Sequence, residues 1–123
     1  MVLGMSEAET ASPDPGVVTD LTAFQRTILV VLAEEPRYGL AIKRELESYY
    51  GDEVNHGRLY PNLDDLVGLG LIEKSERDKR TNEYALTDTG VDAVFDHLTW
   101  TISKVVVDDD RAERLAEVVD AQP

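Results

Sequence analysis

The chain has 123 residues, 25 of them acidic and 12 basic, for a formal net charge of −13, and it contains no cysteine. That length allows one domain with a modest core, short enough to leave apolar surface for a partner such as a second copy to cover. Disulfides, thiolate zinc sites, cysteine nucleophiles and thiol redox switches are excluded, and two histidines, His56 and His97, leave little for metal chemistry.

Residues 1–19 mix glycine, serine, proline and acids without apolar periodicity and read as a flexible acidic arm. At Thr22 a capping box, Thr22-x-x-Gln25, opens a first helix with Phe24, Ile28, Val31 and Leu32 on one face, ending near Pro36. Tyr38-Gly39 begins a second helix whose apolar face is Ala41, Ile42, Leu46 and Tyr49, with Lys43 and Arg44 on the solvated side and Gly51 as the stop. A third run carries Leu59, Leu63, Leu66 and Val67 to Gly68 or Gly70, and Pro61 falls early enough that its missing N–H is tolerated or gives a small kink.

The pattern then changes period. Leu71-Ile72 starts an extended segment, Arg77 to Asn82 is a polar turn, and Tyr84-Ala85-Leu86 alternates, which predicts a β-hairpin of two short strands. From Thr87 or Asp88 a long helix runs to about Val107, with Val91, Phe95, Leu98, Ile102 and Val105 at the 4-3-4-3 spacing of a coiled-coil seam. Asp110-x-x-Glu113 resembles a capping box for a last amphipathic segment with Leu115, Val118 and Val119, which either continues the long helix or bends back. The run Asp108 to Asp110 lacks the glycine and spaced ligands of a calcium loop and reads as a solvated cap.

Eight of the twelve positive charges lie in residues 37–80, while residues 1–36 and 81–123 hold most of the excess acid. A uniform solubility coat would not concentrate its cations in one block. Scattered acids with only four lysines suggest adaptation to very concentrated cytoplasmic salt, which screens the self-repulsion; the alternative is an ordinary acidic protein. No stretch approaches the roughly 20 apolar residues of a membrane helix, and no secretory pattern opens the chain, so a cytoplasmic protein that makes no membrane contact is expected.

Three helices, a hairpin and a long helix, in that order, form the plan of a mainly α winged helix-turn-helix: residues 20–90 the DNA-binding unit, residues 91–123 a C-terminal dimerisation helix or helices. A helix that enters the major groove needs polar residues projecting from its own start and cations nearby for phosphates. The third helix starts Asn55-His56-Gly57-Arg58, and the hairpin tip supplies Arg77, Lys79 and Arg80.

Ile28-Leu29 through Pro36, Tyr38-Gly39, Gly57-Arg58-Leu59-Tyr60-Pro61-x-Leu63, Gly70-Leu71-Ile72 and Tyr84-x-Leu86-Thr87-x-x-Gly90 closely resemble the PadR-like family of winged-helix transcription regulators, over residues 24–95. The resemblance implies a homodimer in which each wing and recognition helix meets one half-site of a near-palindromic DNA operator, with the C-terminal helix making the dimer. It also implies that the Tyr60 hydroxyl reaches backbone phosphate, against the alternative of a half-buried packing ring. Two departures stand out: Arg58 replaces the family's usual threonine, and Thr81-Asn82-Glu83-Tyr84 replaces a Gly-x-x-Arg-Lys-Tyr-Tyr wing, which moves the basic residues into the tip.

On this plan Arg58 is expected to grip guanine or a phosphate, the alternative being a solvated ion pair with Asp52 or Glu53. His56 either touches DNA or caps its helix, and Asn55 is favoured as the cap over a base reader. Asn62, four residues after Arg58, shares its face. Arg77, Lys79 and Arg80 are expected on phosphates or in the minor groove, and Arg37 and Tyr38 can hold a phosphate at the start of the second helix. Val91, Phe95, Leu98, Ile102 and Val105 are expected in the dimer seam, although packing on their own domain is the alternative; Trp100 lies off the seam. No nucleophile–base set, phosphate loop or metal cluster is visible, so no enzyme activity, cofactor or metal site is expected. Inorganic cations are expected to bridge carboxylates to DNA phosphates at the acidic surface. The competing non-catalytic reading is a winged-helix module for protein contacts alone, which carboxylate-paired Arg58, Lys79 and Arg80 would favour.

Overall fold

The computed structural model describes residues 20–76 and 81–123. Among them five helices and three strands follow in the order α1 Ala23–Glu34, β1 Arg37–Tyr38, α2 Gly39–Tyr50, α3 His56–Gly68, β2 Ile72–Glu76, β3 Asn82–Leu86, α4 Asp88–Val105 and α5 Asp109–Asp120. This is a winged helix-turn-helix whose wing is an antiparallel sheet in the order β1-β3-β2. Tyr84 in the central strand stands opposite Arg37 on one side and Lys74 on the other.

The capping box forms as the sequence requires: Thr22 Oγ1 accepts from the Gln25 amide at 3.1 Å, and Gln25 Oε1 accepts from the Thr22 amide at 3.0 Å. Ile28, Leu32, Ile42, Leu46, Leu59, Leu63, Leu66, Leu71, Ile72 and Tyr84 bury together beneath the three-helix face and the wing base. Burying such a set supplies most of the driving force, at about 25 cal/mol per Å² of apolar surface. The turn between α2 and α3 is fastened by Glu47, whose carboxylate accepts from Lys43 Nζ at 2.7 Å and from the Val54 amide at 3.0 Å. Those two hydrogen bonds, the Lys43 bond first, hold the Glu47 carboxyl below the ordinary carboxylate range.

Three sequence expectations change. A third strand joins the hairpin, because Arg37-Tyr38 pairs with Glu83-Tyr84. Tyr49 is exposed, packed edge-on against Tyr50 with ring centroids 5.0 Å apart, because the last turn of α2 runs past the core. The long helix stops at Val105, and a separate α5 starts from Asp108, whose carboxylate accepts from the Arg111 amide at 2.9 Å; the cap is Asp108, two residues before the expected Asp110.

α4 is anchored by its first two turns alone: Gly90 and Ala93 are its buried residues. Thr87 caps it, accepting from the Gly90 amide at 3.0 Å while its hydroxyl donates to the Gly70 carbonyl at 2.7 Å and its amide to the Leu71 carbonyl at 3.1 Å. Beyond that anchor the helix leaves the core, and Phe95 is 60% and Val105 53% exposed.

Candidate nucleic-acid interface

The start of α3 is built by its cap. Asn55 Oδ1 accepts from the Gly57 amide at 2.6 Å, so this side chain is the N-cap, satisfying one of the orphan amides of the first turn. His56 then packs on Tyr60, ring centroids 4.4 Å apart. Asn55, His56, Gly57 and Arg58 are all exposed, forming one polar projecting turn.

Arg58 has no carboxylate within ion-pair distance among the described residues, so the expected alternative with Asp52 or Glu53 does not form. Its guanidinium carbon lies 3.9 Å from the centre of the Phe24 ring. Asn62, expected to share the exposed face, is instead half-buried and engaged at both ends: Nδ2 donates to the Arg58 carbonyl at 2.8 Å and Oδ1 accepts from Gln25 Nε2 at 3.1 Å.

Arg37 is likewise engaged within the fold. Its guanidinium pairs with Glu34, with Glu35 at 3.5 Å and with Glu45 at 4.0 Å, and its side chain is only 13% exposed. An arginine clamped by three carboxylates is poorly placed to hold a phosphate, since each carboxylate repels it. The fold therefore gives Arg37 the work of joining α1 to α2.

Tyr38 and Tyr60 come together across the start of α2. The Tyr60 hydroxyl lies against Gly39, where an alanine Cβ would overlap it. With Leu40, Thr81, Asn82 and Tyr84 they line a cleft of about 190 Å³ between the N-terminus of α2 and the start of β3. Helix N-terminal amides and tyrosine hydroxyls suit an anionic oxygen. Burial chiefly, with Asp64 and Tyr60 nearby, pushes the Tyr84 hydroxyl pKa up, so it stays a neutral phenol in this cleft. Thr81 and Asn82 were not among the expected site residues; their only sequence signal is adjacency to the basic tip. Arg77, Lys79 and Arg80 lie outside the described residues.

The C-terminal seam residues Val91, Phe95, Leu98 and Val105 are exposed along α4, and Ile102 is half-buried. Leu98, Ile102 and Val105 also line a cleft of about 490 Å³ shared with Arg111, Arg114 and Leu115 of α5. Among the described residues no group of His, Asp or Glu is arranged to hold a metal ion, and no helix is long and apolar enough to cross a membrane.

The model of the "Transcriptional regulator PadR-like family" matches residues 28–95. Among solved structures, the complex structure of hsRosR-S1 is 72% identical, with a TM-score of 0.83 over 84% of this chain and 92% of that one. The structure of Halobacterium salinarum RosR grown from NaBr is 73% identical, with a TM-score of 0.81 over 82% of this chain and 92% of that one. A transcriptional regulator from Clostridium thermocellum shares the fold at 24% identity, with a TM-score of 0.54 over 68% and 87% of the two chains. No curated protein matches.

Proposed function

The chain belongs to the PadR-like family of transcriptional regulators, and on that premise we propose that it is a sequence-specific, DNA-binding regulator that acts as a homodimer on a near-palindromic operator, by occupancy and without catalysis. The observation that carries this reading is Arg58: an exposed guanidinium on the first turn of α3, unpaired with any carboxylate among the described residues in a chain where acids outnumber bases about two to one. Where negative charge is so abundant, a cation kept clear of it is available to an external anion. The same freedom of Arg58 weighs against a module used for protein contacts alone. His56, on the same turn, and the Tyr38–Tyr60 cleft add groups whose chemistry suits base edges and backbone phosphate respectively.

In concentrated salt the counterion-release gain shrinks, so binding leans on hydrogen bonds, shape and burial, with inorganic cations bridging carboxylates to phosphates. Selection from a randomised duplex library in molar KCl is expected to enrich a near-palindromic sequence. The affinity for it should fall only shallowly, or rise, as KCl increases. A steep negative slope of log affinity against log salt would refute the high-salt mechanism. Failure to enrich any sequence at any salt would remove the DNA reading and favour the protein-contact one.

The dimer is supported by the stripe Phe95, Leu98 and Val105, which α4 leaves uncovered on a helix whose buried residues, Gly90 and Ala93, lie in its first two turns. Phe95→Asp is expected to halve the mass measured by light scattering while the circular dichroism spectrum is retained. An unchanged mass would place the interface elsewhere.

A further inference from the structure

Two contacts converge on Arg58 from the same place. Its guanidinium carbon lies 3.9 Å from the Phe24 ring centre, and its carbonyl accepts from Asn62 Nδ2, whose amide is in turn held by Gln25. Phe24 and Gln25 are successive residues in the first turn of α1. We propose that this turn positions Arg58 for DNA: Phe24 holds the guanidinium by its face, and the Gln25–Asn62 pair holds the backbone that carries it. The inference rests on the DNA-binding reading above.

Phe24 is itself fixed. It is buried, and Tyr50 of α2 stacks with it at 6.1 Å between centroids, the Tyr50 hydroxyl donating to Thr27 Oγ1 at 3.4 Å. A long flexible side chain loses rotamer entropy when it is ordered on DNA, so an arginine already stacked on a fixed ring binds with less of that loss outstanding. Stacking does not compete with binding. Contact through the guanidinium face leaves free the N–H donors that meet guanine or phosphate, because those lie in its plane, at the edge.

The second hold answers a weakness in α3. Pro61 has no N–H for the Gly57 carbonyl, so the ladder of α3 is missing a rung just before Arg58. Asn62 adds a side-chain bond to the next carbonyl, that of Arg58, and Gln25 orients the Asn62 amide. Gln25 is locked in turn, because its Oε1 accepts from the Thr22 amide and its own amide donates to Thr22 Oγ1. One capping box thus sets both the start of α1 and the carrier of Arg58.

The test uses the full chain in molar KCl, a duplex selected by the wild-type protein and a shuffled duplex of the same composition. Phe24→Leu is expected to lower the affinity for the selected duplex roughly three- to tenfold, with the shuffled duplex following it only if Arg58 clamps a phosphate. In the Phe24→Leu/Arg58→Ala double variant, the affinity for the selected duplex should stay within about twofold of that of Arg58→Ala alone. In the DNA-free protein, ring current should shift the Arg58 side-chain protons upfield in wild type and not in Phe24→Leu. If the two substitutions multiply independently, or the wild-type shift is missing, the positioning inference is overturned while the DNA reading stands. A wild type that selects no duplex overturns both. Should Phe24→Leu fail to fold, Asn62→Ala, at a half-exposed site, tests the second hold: a drop of about threefold in affinity for the selected duplex is expected, and an unchanged affinity overturns it.

Discussion

Gly90→Ala is expected to lower the thermal midpoint by about 12 °C, from a destabilisation of about 3 kcal/mol at about 4 °C per kcal/mol for a chain of 123 residues. A Cβ at this position would overlap the Leu71 carbonyl oxygen and come within 3.0 Å of Leu86 Cδ2. The oxygen belongs to backbone that already accepts from the Thr87 amide at 3.1 Å, and the Leu71 amide donates to the Leu66 carbonyl at 3.1 Å. It therefore cannot swing aside as a side-chain tip would, and the strain is divided between the start of α4 and the end of α3.

Gly68→Ala supplies the control, because a Cβ there meets nothing within 4 Å. Alanine in a helix is favoured over glycine by about 0.5–1 kcal/mol, so this variant should melt slightly higher than wild type. Both melts are followed by circular dichroism at one protein concentration and one KCl concentration, since a dimer's midpoint depends on both. A Gly90→Ala protein melting within two or three degrees of wild type would show that α4 is not seated on the Leu71 carbonyl. The consequence reaches function, because α4 carries the proposed seam. An error in its register would change the separation of the two α3 helices on DNA.

Those elements that rest on local chemistry were legible in the sequence. The Thr22–Gln25 box, the Asn55 cap, the apolar period of α1 and α3 and the hairpin each depend on residues within a few positions of one another. β1 was not, because two residues are too short to display a period and its partner lies in the third strand. Tyr49 has the spacing of the buried face of α2, and only the end of the core three residues earlier, at Leu46, exposes it. Three successive aspartates could each cap α5, and Asp108, the one with extended backbone, takes the role.

The site divides the same way. The projecting turn from Asn55 to Arg58 follows from order and polarity. The partners of its neighbours do not: Arg37 meets Glu45 only once α2 folds back, and Asn62 meets Gln25 across 37 residues of chain. Of the expected DNA contacts, Arg37 also has the neighbours Glu34 and Glu35 as partners, which residue order could have announced, whereas the Gln25 partner of Asn62 lies beyond any local pattern.

Arg58→Ala is expected to cost DNA affinity more than any other single change on the projecting turn. A bidentate contact to guanine contributes about 1–3 kcal/mol, and a dimer carries two copies, so the loss on a two-half-site operator should be about 2–6 kcal/mol, or upwards of roughly thirtyfold. Its stability effect should be small, because the side chain is exposed and its one stacking contact on Phe24 is of the size of about 0.5–1 kcal/mol. The two roles open to Arg58 separate in the same experiment. If it reads a base, the loss is confined to selected duplexes and specificity relaxes at one position in each half-site. If it clamps a phosphate, selected and shuffled duplexes weaken together and the salt slope falls by about one per contact. Arg58→Lys sharpens the distinction, since an ammonium keeps the charge for a phosphate but cannot match the two acceptors of guanine in a planar fork. Equal binding by wild type and Arg58→Ala to every duplex, at every KCl concentration, would remove α3 from the interface and leave the wing to account for binding.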